Sequence, residues 1–331
     1  MLQNKLAIAV LSLGQHQSHT LDHKIRVAAE AGYAGVEIVY SNLQAYSRVH
    51  NLSMLEGAEQ IFNLCESLNL EIISLAPFEN FEGGHAPLSQ RLQTGEHWIE
   101  IARQLRAPYL QVPANYNPDA IGTKEVVVSE LQQLADIGSA KQPVVSIAFE
   151  FMSWSTHCST WESALHYVKA VNRSNFGLCL DTFHIGTKIW GDNSVPGGKF
   201  SDANKALSES LRRFTRECPL DKIFFVQLSD AERFDPPFSK DHPWYVEGEA
   251  PEFTWSKHAR PFPFEHSLGA YLPITEMVKA WVVDTGYTGW VSLEIFDRRM
   301  RDKDHRPEIA AARGMESWKT LQKRLEGASK I

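Results

Sequence analysis

The sequence lacks the features of a secreted or membrane-bound protein. Its 331 residues contain four cysteines, and no two of them have the spacing of a metal-binding or redox pair: Cys65, Cys158, Cys179 and Cys218. This pattern predicts buried thiols in a reducing compartment. No apolar run is long enough to cross a bilayer, and residues 5–11 are too short and weakly flanked for a signal peptide. We therefore expect a cytosolic protein without membrane contact. The ending Ser329-Lys330-Ile331 is close to a peroxisomal Ser-Lys-Leu address but lacks its leucine.

Excess positive charge is also lacking. The formal net charge is −7, which argues against a nucleic-acid partner, because such binding depends on basic side chains. A glycine-rich phosphate turn is missing after the first predicted strand, where residues 12–16 read SLGQH. This disfavours a doubly wound dinucleotide-binding fold. The composition, 43% hydrophobic and 22% charged, is that of a globular protein. It is compatible with a monomer and with a homo-oligomer.

Short β-rich runs alternate with helical patterns along the whole chain. Residues 53–68 have helical periodicity, with Leu55, Ala58, Ile61 and Cys65 among the residues of one apolar face. Eight strand–helix units fit a closed (β/α)₈ TIM barrel better than an open sheet, so we predict one domain over residues 1–331. The predicted strands are 5–11, 34–39, 70–78, 109–114, 145–151, 176–184, 223–230 and 290–296.

Two further patterns support this interpretation. Residues 31–36 (AGYAGV) resemble residues 285–290 (TGYTGW), and in both we expect a glycine to end a helix in the left-handed conformation just before a strand. Residues 231–269 are rich in proline and aromatic residues and leave the carboxyl end of strand seven. Since a long loop on that face is usually functional, we predict a lid or substrate wall.

Parity along four predicted strands places one acid or amide on the inner face near each carboxyl end. Barrel side chains alternate between the lumen and the helix layer, and the larger aliphatic side chains suit the helix layer. The inward groups that we expect to converge are Glu150, Asp181, Gln227 and Glu294. Glu37 on strand two also points inward and is a candidate to contact the substrate or support this cluster.

Three carboxylates in an apolar lumen would repel each other unless a cation neutralised them. Pairing with lysine or arginine would suffice for one acid, but four polar groups at one height favour a metal. We therefore expect one divalent ion, Mn²⁺ or Mg²⁺ in preference to Co²⁺ or Zn²⁺, because the ligands offer oxygen and no cysteine.

Several other side chains are expected on the active face. His184 follows Asp181 by three residues and can be a general base, a further ligand or a hydrogen-bonded spectator; beside a metal carboxylate the base is favoured. An anionic substrate can be held by Arg233, Lys188 or Arg260. The alternative for each of them is an ordinary surface charge in contact with water. His157 is a weaker candidate for a contact with substrate.

The residues also carry a family resemblance that runs through nearly the whole chain. Its motifs are WSTH at 154–157 with Trp161-Glu162, NFGLCLDTFH at 175–184, VQLSDAER at 226–233, WSKHAR at 255–260, GAYLP at 269–273 and GWVSLEIF at 289–296. These stretches resemble xylose isomerase-like TIM barrels, the superfamily of sugar isomerases, epimerases and endonuclease IV, and within it the fungal 3-dehydroshikimate dehydratases.

The resemblance implies a metal on Glu150, Asp181, Gln227 and Glu294, with His184 available for proton transfer. It implies a lyase that dehydrates 3-dehydroshikimate to protocatechuate in quinate and shikimate catabolism.

Two positions depart from those enzymes: Glu79 stands where they carry an arginine, and they often have asparagine at the position of His184. Glu79 gives weight to an alternative, a sugar isomerase or epimerase in which Glu150 and Glu294 exchange a proton next to a carbonyl. A repair nuclease and a non-catalytic ligand-binding barrel are less favoured.

Overall fold

A computed structural model describes residues 2–328, so the Ser329-Lys330-Ile331 ending lies outside the described part. Eight parallel strands close into a barrel, each hydrogen-bonded to its neighbours. This confirms the predicted (β/α)₈ fold. The barrel strands are β1 (Leu6–Ala9), β2 (Gly35–Val39), β3 (Glu71–Ala76), β4 (Tyr109–Pro113), β5 (Ser146–Glu150), β6 (Phe176–Asp181), β7 (Ile223–Leu228) and β9 (Trp290–Leu293). Two further strands, β8 (Ala259–Arg260) and β10 (Phe296–Asp297), lie outside the barrel.

Eleven α-helices are found in the described part of the chain, most of them outside the barrel. They are α1 (Leu21–Ala31), α2 (Tyr40–Val49), α3 (Met54–Ser67), α4 (Leu88–Gln104), α5 (Lys124–Ser139), α6 (Trp161–Val171), α7 (Thr182–Ile185), α8 (Ala203–Glu217), α9 (Pro251–His258), α10 (Ile274–Val278) and α11 (Pro307–Ala328). Among residues 2–328, none is both long and apolar enough to span a membrane.

The helix predicted over 53–68 is α3, which begins with a capping box. The Ser53 hydroxyl accepts from the Glu56 backbone N–H, and the Glu56 carboxylate accepts from the Ser53 backbone N–H, so two otherwise unpaired donors are satisfied. Cys65 is buried as expected. Leu55 is 37% exposed, because the buried stripe is centred on Ala58 and Ile61 and Leu55 lies at its edge.

Both repeats of the predicted turn have the expected geometry. Gly32 ends α1 with a φ of 90°, and Gly286 precedes β9 with a φ of 74°. A residue with a Cβ would be strained in this left-handed region, so glycine is needed at each turn into a strand.

The segment 231–269, predicted as a long loop, contains α9 and a short strand, β8 (Ala259–Arg260). Proline at the first turn of α9 suits a helix start, where its missing N–H costs nothing. β8 pairs antiparallel with β10 (Phe296–Asp297), so that Arg260 lies opposite Phe296. The predicted strand 290–296 is therefore divided, and its last residue belongs to this second small sheet.

The barrel interior confirms the predicted parity. A small cluster fills the lumen separately from the main core, and it consists of Ala7, Ile73, Ala148, Cys179 and Phe225. Ala148, Cys179 and Phe225 each precede a predicted inward polar residue by two positions, so the cluster forms the apolar layer beneath the polar groups.

Candidate active site

The four polar side chains predicted from parity meet at the carboxyl ends of their strands. Glu150, Asp181, Gln227 and Glu294 are all buried, and Asp181 lies opposite Gln227 in the β6–β7 ladder. The Gln227 Nε2 donates to Glu294 Oε1 at 3.1 Å. On the other side, Gln111 Nε2 donates to Glu150 Oε2 at 2.6 Å. The convergence follows from strand geometry, because the late residues of parallel strands meet on one face of the barrel.

Glu37 joins this cluster from β2. Its carboxylate accepts from Ser74 Oγ at 2.9 Å and from Gln227 Nε2 at 3.0 Å. A register shift between β2 and β3 sets Glu37 opposite Ser74. Glu37 therefore lies inward, as parity predicts, and its carboxylate accepts from the Gln227 amide.

Arg260 brings a positive charge into the acids. Its Nη2 contacts Asp181 Oδ2 and donates to Glu294 Oε2 at 3.0 Å, while Ser229 Oγ accepts from Nε at 3.0 Å. The guanidinium lies between the rings of Phe183 and Phe296, 4.7 and 4.8 Å from their centroids. The sequence suggested an arginine for the substrate, whereas the β8–β10 pairing buries this one beside two carboxylates.

One arginine does not balance four buried acids. Burial raises the pKa of Glu150, and the Asp181 charge raises it further. Burial also raises the pKa of Glu37 and of Glu294, although Arg260 lowers that of Glu294. These shifts oppose ionisation and would be reversed by a second cation near the carboxylates.

The donor set fits a divalent metal ion. Ligand atoms of Glu150, Asp181 and His184 all lie within 4.8 Å of one another, and Glu150 Oε1 and His184 Nε2 are buried without a hydrogen-bond partner. Carboxylate oxygens suit a hard ion. Gln227 is the exception, because its Oε1 faces Cys179 Sγ at 3.1 Å; the amide must turn over before that oxygen can reach a metal.

The hydrogen bonds of His184 decide what its ring can do. The Ser153 backbone N–H donates to Nδ1 at 3.1 Å, so the neutral ring carries its proton on Nε2. Burial lowers the pKa of His184 to about 3, which keeps the ring neutral. Nε2 lies 3.4 Å from Glu150 Oε1 and 3.7 Å from Asp181 Oδ2.

With its proton on Nε2, the ring donates a hydrogen bond from that atom. To join Glu150 and Asp181 as a metal ligand through Nε2, the ring would have to carry its proton on Nδ1 and give up the hydrogen bond from the Ser153 N–H. This hydrogen-bond pattern favours a donor at His184 over the predicted general base. It also leaves the carboxylates as the better ligands. The strand predicted over 176–184 extends three residues too far. The Asp181 carboxylate accepts from the Phe183 N–H at 2.7 Å, so β6 ends at Asp181 and α7 begins at Thr182.

A cavity of about 410 Å³ opens above the cluster. Glu37, Glu150, His184, Arg260 and Glu294 line it, and Asp181 and Gln227 lie fully buried beneath. The 231–269 segment contributes Phe253, Ser256 and Lys257 to its wall. Trp154 also lines the wall, with its ring 4.8 Å from that of His184 and 5.1 Å from that of Phe253.

The structure does not bring three predicted substrate contacts to this cavity. Lys188 and Arg233 are exposed, and neither lines the cavity; the Lys188 ammonium is 3.3 Å from the Ser153 carbonyl oxygen. His157 is also exposed, and its Nε2 lies 2.9 Å from the Ala120 carbonyl oxygen. All three follow the strand ends by several residues, and there the chain has already turned away from the barrel axis.

Sequence reasoning missed Lys24, which lines the cavity from α1 and is 1% exposed. A signal for it exists: Lys24 lies on the stripe that Leu21, Ile25 and Ala28 bury. A lysine within an apolar stripe is unusual, since helix lysines normally face water.

Comparisons with known proteins agree with the barrel fold. A family model described as xylose isomerase-like TIM barrel matches residues 25–321. A 3-dehydroshikimate dehydratase from Neurospora crassa is 35% identical over 97% of this chain and 94% of its own length. Another, from Pseudomonas aeruginosa, is 30% identical over 89% of this chain, but the match spans only 38% of that longer protein.

Among solved structures, a fusion protein of a xylose isomerase-like TIM barrel and a 4-hydroxyphenylpyruvate dioxygenase is similar, with a TM-score of 0.75 and 26% identity. The match covers 97% of this chain and 43% of the fusion protein.

Proposed function

Because the chain belongs to the xylose isomerase-like TIM barrel family, we propose that it is a divalent-metal-dependent lyase that dehydrates 3-dehydroshikimate to protocatechuate. The observation that carries the proposal is the buried cluster of strand-end acids below a cavity of about 410 Å³. The dehydratase relatives support this activity over the isomerase alternative, which uses the same acids. The partner is thus a small polyhydroxylated molecule.

The proposed metal is Mn²⁺ or Mg²⁺, held by Glu150, Asp181 and Glu294, with Gln227 as a fourth ligand after its amide turns over. When bound, the ion supplies Lewis acidity toward the ring ketone. Zn²⁺ and Co²⁺ remain compatible with the same oxygen ligands.

The protein's own groups move the protons. Dehydration requires a base for a ring proton acidified by the enone, and a donor for the hydroxyl that leaves as water. Glu150 is the proposed base, because its Oε1 has no hydrogen-bond partner and faces the space beside His184. The His184 Nε2–H is proposed to hold a substrate oxygen through a hydrogen bond, and it keeps its proton throughout. Glu150 takes one ring proton and passes it to the departing hydroxyl, which leaves as water. The ketone oxygen then gains a proton while a second ring carbon loses one, so that the ketone becomes a phenol and the ring becomes aromatic.

We assign the 231–269 segment the role of substrate wall. The Phe253 ring from α9 and the Trp154 ring lie 5.1 Å apart at the cavity, and flat apolar faces suit a ring that becomes planar. The four cysteines are unpaired, which agrees with a reducing compartment such as the cytosol.

An absorbance assay tests the function. Purified protein with Mn²⁺ or Mg²⁺ is expected to convert 3-dehydroshikimate into an aromatic product, and E150Q is expected to lose this activity. The control is E276Q, the same substitution at an exposed glutamate. An enzyme that leaves 3-dehydroshikimate unchanged but epimerises a ketose with the same metal would overturn the proposal in favour of the isomerase.

A further inference from the structure

Lys24 is a buried cation that the proposed chemistry leaves unused. It lies on the inner face of α1, 1% exposed, and it lines the cavity above the acids. In the described residues, its ammonium makes no hydrogen bond or ion pair with another side chain or carbonyl. An unpaired buried charge is costly, so the fold maintains it against a free-energy penalty that an anionic ligand would offset.

The other cations on the cavity wall already have partners. Arg260 contacts Asp181 and Glu294, and Lys257 Nζ lies 2.6 Å from Glu249 Oε2. Lys24 is therefore the cation on this wall with its charge still available. Burial lowers its pKa to about 8, so it remains mostly charged near neutral pH.

Glu79 places a negative charge on the cavity rim, so an anionic substrate depends on a cation such as Lys24. Glu79 lies at the exposed rim of the cavity, and its carboxylate accepts from Tyr116 Oη at 2.8 Å. The rim of the cavity therefore carries a carboxylate at this position, which would repel an anionic substrate. An anionic substrate needs its positive partner elsewhere on the wall.

We propose that Lys24 binds the carboxylate of the substrate and so selects carboxylated rings over neutral polyols. The proposal rests on the proposed dehydratase function. The ring ketone and hydroxyls then face the strand-end acids and His184, while the carboxylate lies against α1. A charge-assisted hydrogen bond of this kind is the interaction that an ammonium offers to a carboxylate.

Binding of two aromatic ligands to the Mn²⁺-supplemented protein tests this without turnover. Protocatechuate and catechol share the ring and both hydroxyls, and only protocatechuate carries a carboxylate. Calorimetry of the parent is expected to show tighter binding of protocatechuate by about 10- to 100-fold, the range for a hydrogen bond to a charged group. K24M should lose this preference, and K24R should keep most of it.

R26M is the matched control, since it removes a positive charge from an exposed position of α1 and should keep the preference. K24M should melt no lower than the parent, because it removes an unpaired buried charge. A parent without the preference, or a K24M that keeps it, overturns the assignment of Lys24. Turnover of 3-dehydroshikimate, measured in parallel on the parent, reports separately on the dehydratase function.

Discussion

The acids and the cations of the cavity come from different parts of the molecule. Glu37, Glu150, Asp181 and Glu294 belong to or directly follow barrel strands, whose closed ladder fixes their positions. Lys24 comes from helix α1, and Arg260 comes from a two-residue strand within the 231–269 segment. The strand ends thus form an anionic floor, and the surrounding elements supply the positive charge.

This division separates two tasks. A floor on rigid strands suits a metal site, because ligands must hold a fixed geometry. The surrounding elements can change without disturbing the barrel, so they suit the selection of a substrate. The family model describes a barrel, and on the wall of this chain an acid, Glu79, lies at the cavity rim. Three predictions test the division between floor and wall.

The largest effect is expected on the floor. D181A and E294A should each lose most of the bound metal and lower kcat by at least about 10³-fold, since each removes a charged ligand and Lewis acidity is lost with the ion. Elemental analysis and kcat on the same preparations measure both. E276Q is the control for an exposed acid. If both alanine variants keep full metal content, the metal does not lie at these strand ends.

A second prediction concerns His184, which lies between floor and wall. H184A should keep its metal and lose turnover on the order of 10²–10³-fold, as expected for the loss of one positioned donor. H184N should recover part of the activity, because its amide also donates. Metal content, thermal melting and kcat are measured together. Equal losses in both variants would support a base instead of a donor, and a change within a few fold would remove His184 from the mechanism.

The floor could be predicted from sequence, and the reason is the period of a strand. Two-residue alternation leaves few choices once the aliphatic face is recognised, so Glu150, Asp181 and Glu294 follow from neighbours within a few positions. The wall depends on contacts between residues far apart in the chain. The burial of Arg260 requires the pairing of β8 with β10, in which Arg260 lies opposite Phe296, 36 residues later, and no local pattern encodes it.

Two local signals were also ambiguous. Asp181 can continue a strand or cap a helix, and the hydrogen bond from the Phe183 N–H selects the cap. A lysine on an apolar helix stripe usually extends its ammonium to water, so the pattern around Lys24 does not reveal that the ammonium ends in a cavity. Both ambiguities are resolved only by tertiary packing.

The smallest effect is a pH dependence on the wall. Burial lowers the pKa of Lys24 from 10.5 to about 8, so its charge is present below pH 8 and is lost as the pH rises through that value. The preference for protocatechuate over catechol should therefore fall by about 10-fold between pH 7 and pH 9, following the charged fraction. Dividing the affinity for protocatechuate by that for catechol cancels most of the effect of hydroxyl ionisation, because both ligands carry the same two hydroxyls. K24R should hold its preference over this range, because an arginine stays charged. A parent whose preference is constant to pH 9 would show that the carboxylate is held by a group other than Lys24.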